Sequence, residues 1–221
     1  MPSSDKSSYL IVGSGVFGIS TAYYLSLQYP EASITVVDRS SEFPCPLAAS
    51  HDFNKIIRAD YGNPFYCALA LEARKLWKSD PLYSSFYHES GLLNLDDTGL
   101  GKRILENYEN LKEYSRASII TPSDVKELHG GLFADADLRG VDDIFYNPTS
   151  GWAEATSALG AVVEASIARG VKFVSGNSEK LSFNDDGDCT GIQCSDGSVS
   201  IIFVITLGYC KSYFKNADVN C

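Results

Sequence analysis

Residues Tyr9–Val12 form a short apolar run, and from Val16 onward the apolar positions switch to helical spacing at Ile19, Ala22, Tyr23 and Leu25. A second apolar run, Ile34 to Asp38, follows. That order predicts strand, helix and strand in one β–α–β unit. The next stretch, Arg39 to Ser50, contains Pro44 and Pro46 among small and polar residues and reads as a loop. His51 to Gly62 interleaves polar and apolar groups without a clear period. Asn63-Pro64 reads as N-cap and first residue of a helix, and Phe65, Leu69, Ala73 and Leu76/Trp77 predict its buried stripe through about Lys78.

From Tyr83 to Tyr146 the character changes. A strand is predicted over Gly91–Leu95, a helix near 99–115 with Ile104, Tyr108 and Leu111 on one side, and a short helix capped by Thr121-Pro122-x-Asp124. Ser150-Gly151-Trp152 is predicted to open a long helix whose stripe is Trp152, Thr156, Leu159, Val163 and Ile167, closed by Arg169-Gly170. Val171–Val174 then predicts a strand. Three further strands are predicted around 181–183, 190–194 and 199–205, with turns at Asn184–Asp188 and Ser195–Gly197. Neither an internal repeat nor a low-complexity linker interrupts the chain. The predicted fold is α/β: a discontinuous nucleotide-binding domain over 1–82 and 146–208, an inserted α+β lobe over 83–145, and an atypical tail over 209–221.

The glycines between the first strand and helix carry the chemistry. Gly13-Ser-Gly15-Val-Phe-Gly18 is G-x-G-x-x-G, and Asp38 stands twenty positions after its last glycine, at the end of the second strand. Gly13 permits the tight turn, Gly15 lets a diphosphate approach the backbone, and Gly18 lets the helix lie close to the strand. A helix starting at Val16 and Phe17 aims N–H groups and a positive dipole end at phosphate. Asp38 would accept hydrogen bonds from a ribose hydroxyl. Arg39 has two readings, a ligand for a 2′-phosphate or a solvated residue after the strand.

A chain of 221 residues with 44% hydrophobic and 12% aromatic residues is globular and has ample core. Its formal charge of −10 argues against nucleic-acid partners and anionic membrane surfaces. The polar start lacks a signal-peptide core, and the apolar run 201–207 is too short to span a bilayer, so a soluble, intracellular protein is expected. Six cysteines, with no C-x-x-C and no metal-like pairing with the three histidines, are expected to be free thiols, and no metal site is expected.

Strand spacing bears on the cofactor. A plain NAD-binding fold brings its next parallel strand about 25–30 residues after the second. Here the next αβ pair ends at Val174, with a different lobe between. An interrupted nucleotide domain is the plan of two-domain flavoproteins, which favours FAD over NAD(P).

Several motifs now agree in order: Gly13-x-Gly-x-x-Gly18, Ala49-Ser50-His51-Asp-x-Asn-Lys55-Ile-Ile-Arg58, Trp77-x-x-Asp-Pro81-Leu, Tyr87-His-x-x-Gly91-Leu-Leu and Ser150-Gly-Trp-Ala153. Over about residues 8–208 the chain resembles the N-terminal half of fungal FAD-dependent amine oxidases of the D-amino-acid oxidase superfamily, of the sarcosine/pipecolate, saccharopine and fructosyl-amino-acid (amadoriase) types. The resemblance implies FAD as cofactor, with Gly13, Gly15, Gly18 and Asp38 at its adenosine site. It places Ala49, Ser50 and His51 in the loop beneath the ribityl chain and ring, and Val174 on the strand that meets the adenine. Gly208 falls at the glycine of a strand end returning to the cofactor, although Thr206-Leu-Gly208 departs from the family's Ala-Thr-Gly. Lys55 falls where a cation faces the flavin, and Arg58 where a guanidinium fork holds a substrate carboxylate. On the residues alone, Lys55 and Arg58 could be surface charges, and His51, His88 and His129 structural histidines. Trp152 could equally be a packing anchor.

The implied reaction is oxidation of the C–N bond of a secondary amine or N-substituted amino acid, with oxygen reduced to hydrogen peroxide. The implied partners are that small-molecule substrate, oxygen and a C-terminal segment absent from this sequence. The resemblance ends before the tail, so a C-terminally truncated chain with weak or no oxidase activity is the expectation. A non-catalytic nucleotide-binding remnant or interaction module, and an NAD(P)-dependent dehydrogenase, stay open as alternatives. Cytoplasm and peroxisome are the candidate compartments.

Overall fold

The structure is a computed structural model that describes residues 7–95, 98–113, 115–141, 143–187, 189–195, 199–201 and 203–206. In chain order its elements are β1 (Ser8–Val12), α1 (Val16–Gln28), β2 (Ser33–Asp38), β3 (Lys55–Ile57), α2 (Pro64–Ser79), β4 (Tyr87–Glu89), β5 (Leu92–Leu95), α3 (Leu100–Asn110), β6 (Ser118–Ile120), α4 (Pro122–Gly131), β7 (Ile144–Asn147), β8 (Gly151–Ala153), α5 (Ala155–Ala168), β9 (Lys172–Ser175), β10 (Ser178–Phe183), β11 (Cys189–Cys194), β12 (Val199–Ile201) and β13 (Phe203–Thr206). A short 3₁₀ turn, Ser84–Phe86, leads into β4. No helix among the described residues is long and apolar enough to cross a membrane. Cys45, Cys67, Cys189 and Cys194 are free thiols.

The chain divides into two compact units, one comprising the residues through Phe53 and from Ala155 onward, the other Asn54–Glu154. In this division β3, α2, β7 and β8 belong to the middle unit, whereas the sequence reading drew its boundaries at 82/83 and 145/146.

The first unit is built on a parallel sheet ordered β13-β1-β2-β9. Ile11 pairs with Val36, and Val37 with Val174. Both faces of this sheet are covered, which is why its strands read as continuous apolar runs rather than as alternation. On one face Ile11, Ile34 and Val36 pack with Ala22 of α1 and Val171. On the other, Leu10 and Val37 pack with Ile192 and Cys194 of the antiparallel sheet β10-β11-β12. Arg169, just past α5, donates from Nε to Ser26 Oγ at 3.1 Å and from Nη2 to the Ser26 carbonyl at 3.0 Å, tying the end of α5 to the last turns of α1.

The second unit holds two three-stranded antiparallel sheets, β3-β8-β4 and β5-β7-β6, with α2, α3 and α4. Ala59, Cys67, Leu71, Ile104, Tyr108 and Phe145 form its core. Asn63 caps α2 by accepting from the N–H groups of Phe65 and Tyr66, and Thr121 and Asp124 form a reciprocal capping box on α4.

Four local expectations differ from the structure. Trp152 lies on β8, not on a helix: Gly151 there packs so closely on β4 that a Cβ would sit 2.0 Å from the His88 carbonyl oxygen. The α5 stripe Leu159 and Val163 is buried, but its spacing extends back one turn too far. In α2 the stripe Phe65, Leu69 and Leu76 is exposed, and the buried face is Cys67, Leu71 and Arg74. Helical periodicity identifies an apolar stripe, but the neighbouring elements choose which side is covered, and here Arg74 is turned inward by Glu113 and Thr149. The predicted helix near 99–115 is shorter, ending at Asn110. The run 199–205 is two strands, β12 in the antiparallel sheet and β13 beside β1. The predicted turns reach Asp188 and Asp196-Gly197, which lie outside the described residues, as do the tail and Gly208.

Candidate active site

The turn from β1 into α1 is shaped by three glycines. Gly13 has φ 102°, a conformation that disfavours side chains, and its N–H donates to the Val37 carbonyl at 2.8 Å, which binds the turn to the end of β2. Gly18 lies against that turn: a Cβ there would be 1.9 Å from the Gly13 carbonyl oxygen. Gly15 is the N-cap of α1 and contributes no side-chain cap, and the first turn of α1 carries no acidic residue. Its helix therefore presents an electropositive end without a capping anion of its own. Val16 and Phe17 at this end are exposed.

Asp38 is drawn into the same turn. Its Oδ2 accepts from the Ser14 N–H at 2.7 Å and its Oδ1 from the Ser40 N–H at 2.9 Å. Burial of the carboxyl opposes ionisation, but the Ser14 and Ser40 N–H groups, with the Cys45 thiol and the Ser14 hydroxyl, together outweigh it and hold its pKa below the ordinary aspartate value.

The loop after β2 returns to the glycines. Ser50 Oγ accepts from the Val16 N–H at 3.2 Å, and the Ser50 Oγ and Ala48 Cβ stand 3.8 and 3.7 Å from where a Gly15 Cβ would be. His51 closes this turn with its N–H on the Ala48 carbonyl at 2.9 Å and leaves its side chain exposed, as is Ala49. Gly13, Gly15, Val16, Phe17, Gly18, Asp38, Ser50 and their loop neighbours Ala49 and His51 are thus gathered in one unit. Val174 is half-exposed on β9, in register with Val37, and Arg39 is exposed just past β2.

Lys55 and Arg58 belong to the second unit. Lys55 begins β3 opposite Ala153, on an exposed edge strand. The Arg58 guanidinium is anchored on one side: Nη1 donates to the Asp60 carbonyl at 2.7 Å, and Cζ lies 4.7 Å from the Tyr61 ring centroid. Among the described residues no acceptor meets its Nε or Nη2, the edge whose two parallel N–H groups match a carboxylate. On the same small sheet, His88 Nε2 lies 2.9 Å from Glu154 Oε1 and its ring is 4.3 Å from that of Trp152. His129 lies beyond the helical part of α4, with φ 51°.

Sequence reasoning missed the polar cluster behind Arg58. Asp60 is 1% exposed and accepts from Tyr108 Oη (2.7 Å), Asn147 Nδ2 (2.7 Å) and Ser150 Oγ (2.8 Å). These partners are 48, 87 and 90 residues away in the chain, so no local pattern announces them.

Known proteins resemble this chain in sequence and in fold. The family described as FAD dependent oxidoreductase (DAO) matches residues 8–214. L-saccharopine oxidase of Schizosaccharomyces pombe is 30% identical over 199 residues, covering 87% of this chain and 46% of its own length. Amino acid oxidase fsqB of Aspergillus fumigatus is 29% identical over 260 residues, covering 99% and 52%. The solved structure of the deglycating fructosamine oxidase Amadoriase II from Aspergillus fumigatus superposes with a TM-score of 0.73 at 30% identity, covering 92% of this chain and 47% of its own. The chain spans about half the length of the curated relatives it matches. With the family matched along nearly all of its length, this chain belongs to the FAD dependent oxidoreductases of the DAO family.

Proposed function

We propose that this chain carries the FAD cradle and part of the substrate wall of an oxidase acting on the C–N bond of a secondary amine or N-substituted amino acid, with oxygen reduced to hydrogen peroxide. The observation that carries the reading is the glycine turn: α1 starts without an anionic cap, Gly18 lies against Gly13, and Asp38 and Ser50 are both bonded to the same few residues. That donor set fits the adenosine diphosphate half of FAD. Backbone N–H groups of α1 would hold phosphate oxygens, and the Asp38 carboxylate would take ribose hydroxyls.

Bound FAD would supply the acceptor for a hydride from the carbon beside the amine nitrogen and pass the electrons to oxygen. Lys55 would contribute fixed positive charge where negative charge develops, and an arrangement set before reaction needs no reorganisation during it. Arg58, with its Nη1 already engaged, would offer Nε and Nη2 to a substrate carboxylate and orient the molecule. Ser50 would keep the loop carrying Ala49 and His51 beside the cofactor. Val174 would line the adenine end, and Arg39 would lie at its rim. The substrate class is supported by the names of relatives that act on saccharopine, amino acids and fructosamines. Cytoplasm or peroxisome is the compartment we propose.

The visible absorption spectrum of the purified chain, with and without added FAD, tests the reading. Flavin absorbance that stays with the protein through desalting is the expected result. A colourless chain that retains no nucleotide refutes the cradle, and nicotinamide binding without flavin assigns it to a dehydrogenase. In a flavin-loaded protein, Lys55→Met should slow reoxidation by oxygen far more than anaerobic reduction by an amine.

A further inference from the structure

We propose that Asp60 is a positioning residue for Arg58, fixing the guanidinium so that its Nε/Nη2 edge stays free for a carboxylate ligand; this rests on the reading of Arg58 given above.

Arg58 is held by the carbonyl of Asp60, so its direction follows the peptide plane between Asp60 and Tyr61. That plane is gripped from both sides. The Asp60 side chain is bonded to α3 through Tyr108, to the end of β7 through Asn147 and to the turn before β8 through Ser150. The Tyr61 carbonyl accepts from Asn107 Nδ2 of α3 at 2.9 Å, and the Tyr61 ring lies under the Arg58 guanidinium. Asp60, Asn147 and Ser150 are almost completely buried and Tyr108 nearly so, which shields the network from competing water.

The cluster is specific in its donors and acceptors. The Asp60 carboxyl accepts from all three groups around it, and each of those groups is a donor. Burial first, then the neighbouring Asp60, raise the pKa of the Tyr108 hydroxyl above the ordinary phenol range, which favours the protonated, donating form. Asn147 is itself oriented by Thr149, whose N–H and Oγ both donate to Asn147 Oδ1 at 3.0 and 2.7 Å. Thr149 Oγ in turn accepts from Arg74 Nη1 at 2.9 Å. A chain of hydrogen bonds therefore runs from the buried Arg74 through Thr149 and Asn147 to the side chain of Asp60, whose backbone carbonyl anchors Arg58. A surface arginine has substantial rotamer entropy to lose on binding. An arginine anchored through Nη1 has lost part of it before ligand arrives, which is the benefit of preorganisation.

The test is side-chain ¹⁵N relaxation of the arginines in the full chain, for wild type, Tyr108→Phe, Ser150→Ala and Asp60→Ala. Arg103, whose Nη1 donates to the Thr98 carbonyl at 3.0 Å, is the control within the same unit. The expected result is an Arg58 Nε order parameter lowered by at least about a third in Asp60→Ala and by less in the two milder variants, with Arg103 unchanged. Should Asp60→Ala fail to fold, Tyr108→Phe and Ser150→Ala still give the answer, because each removes one hydroxyl and keeps the rest of the side chain. Asp60→Asn, which retains an acceptor and a matching shape, should restore the Arg58 signal. Unchanged Arg58 mobility in all folded variants, or equal loosening of Arg103, overturns the positioning role. Titration of wild type with sarcosine separates the two claims: failure to shift the Arg58 Nε–H resonance refutes the carboxylate site, while the relaxation result judges Asp60 independently.

Discussion

Gly15 and Gly18 stand three positions apart, and the structure separates their roles. A Cβ at Gly18 would be 1.9 Å from the Gly13 carbonyl oxygen and 3.4 Å from Ile11 Cγ2. Real Cβ atoms do not come within 3.0 Å of such a neighbour, so Gly18→Ala must push α1 off β1 by roughly 1 Å. That shift loosens Ile19 and Ala22, both fully buried. Overpacking of this kind costs about 1–3 kcal/mol, and a backbone obstacle places it at the upper end. Replacing a helical glycine by alanine returns about 1 kcal/mol of helix propensity. The net loss is about 2 kcal/mol, which lowers the melting temperature of a chain this size by about 4–8 °C.

Gly15 has φ −78° and ψ −175°, open to any residue, and a Cβ would meet Ala48 and Ser50 at ordinary contact distances. Losing glycine at an N-cap costs about 0.5–1 kcal/mol, and a stiffer unfolded chain offsets about as much. Gly15→Ala should therefore melt close to wild type while its methyl group occupies the approach to the helix N-terminus. Its affinity for FAD should fall at least about tenfold. Circular dichroism melting and quenching of free flavin fluorescence measure the two quantities on the same samples. If Gly18→Ala melts within about 1 °C of wild type, or Gly15→Ala binds FAD undiminished, the geometric reasoning fails.

Two further outcomes follow from the charged groups. The folded pKa of Asp38 is depressed, so its contribution to stability is fully present above the unfolded value, near 4, and is lost as pH falls through the folded value. The urea midpoint of wild type should accordingly drop between pH 5 and pH 3 by more than that of Asp38→Asn, and parallel curves would show that the Ser14 and Ser40 bonds do not favour the ionised form. Arg74 is 5% exposed and bonded to Glu113 at 2.9 Å, so Glu113→Ala strands a buried guanidinium and should cost about 2 kcal/mol. The double change Arg74→Met/Glu113→Leu should recover most of that in chemical unfolding, and a Glu113→Ala loss below about 0.5 kcal/mol would mean that Thr149 and water suffice.

What could be read from the chain alone was local. The β1–α1–β2 unit, its glycine turn and Asp38 lie within the 31 residues from Ser8 to Asp38, and each is marked by apolar spacing, by backbone freedom at one residue or by a fixed distance along the chain. The caps at Asn63 and Thr121 are legible for the same reason, since donor and acceptor are two or three residues apart. Strands of three residues, such as β3, β4 and β6, hold too few positions for a period, and only their partners make them strands. Folding alone could choose the buried side of α2, move Trp152 into a sheet and carry β13 to the side of β1, because each choice depends on which distant surface arrives. The anchoring of Arg58 belongs here too: its segment is held through Asp60 by Tyr108, Asn147 and Ser150, residues that only tertiary packing brings within 3 Å of one carboxyl group.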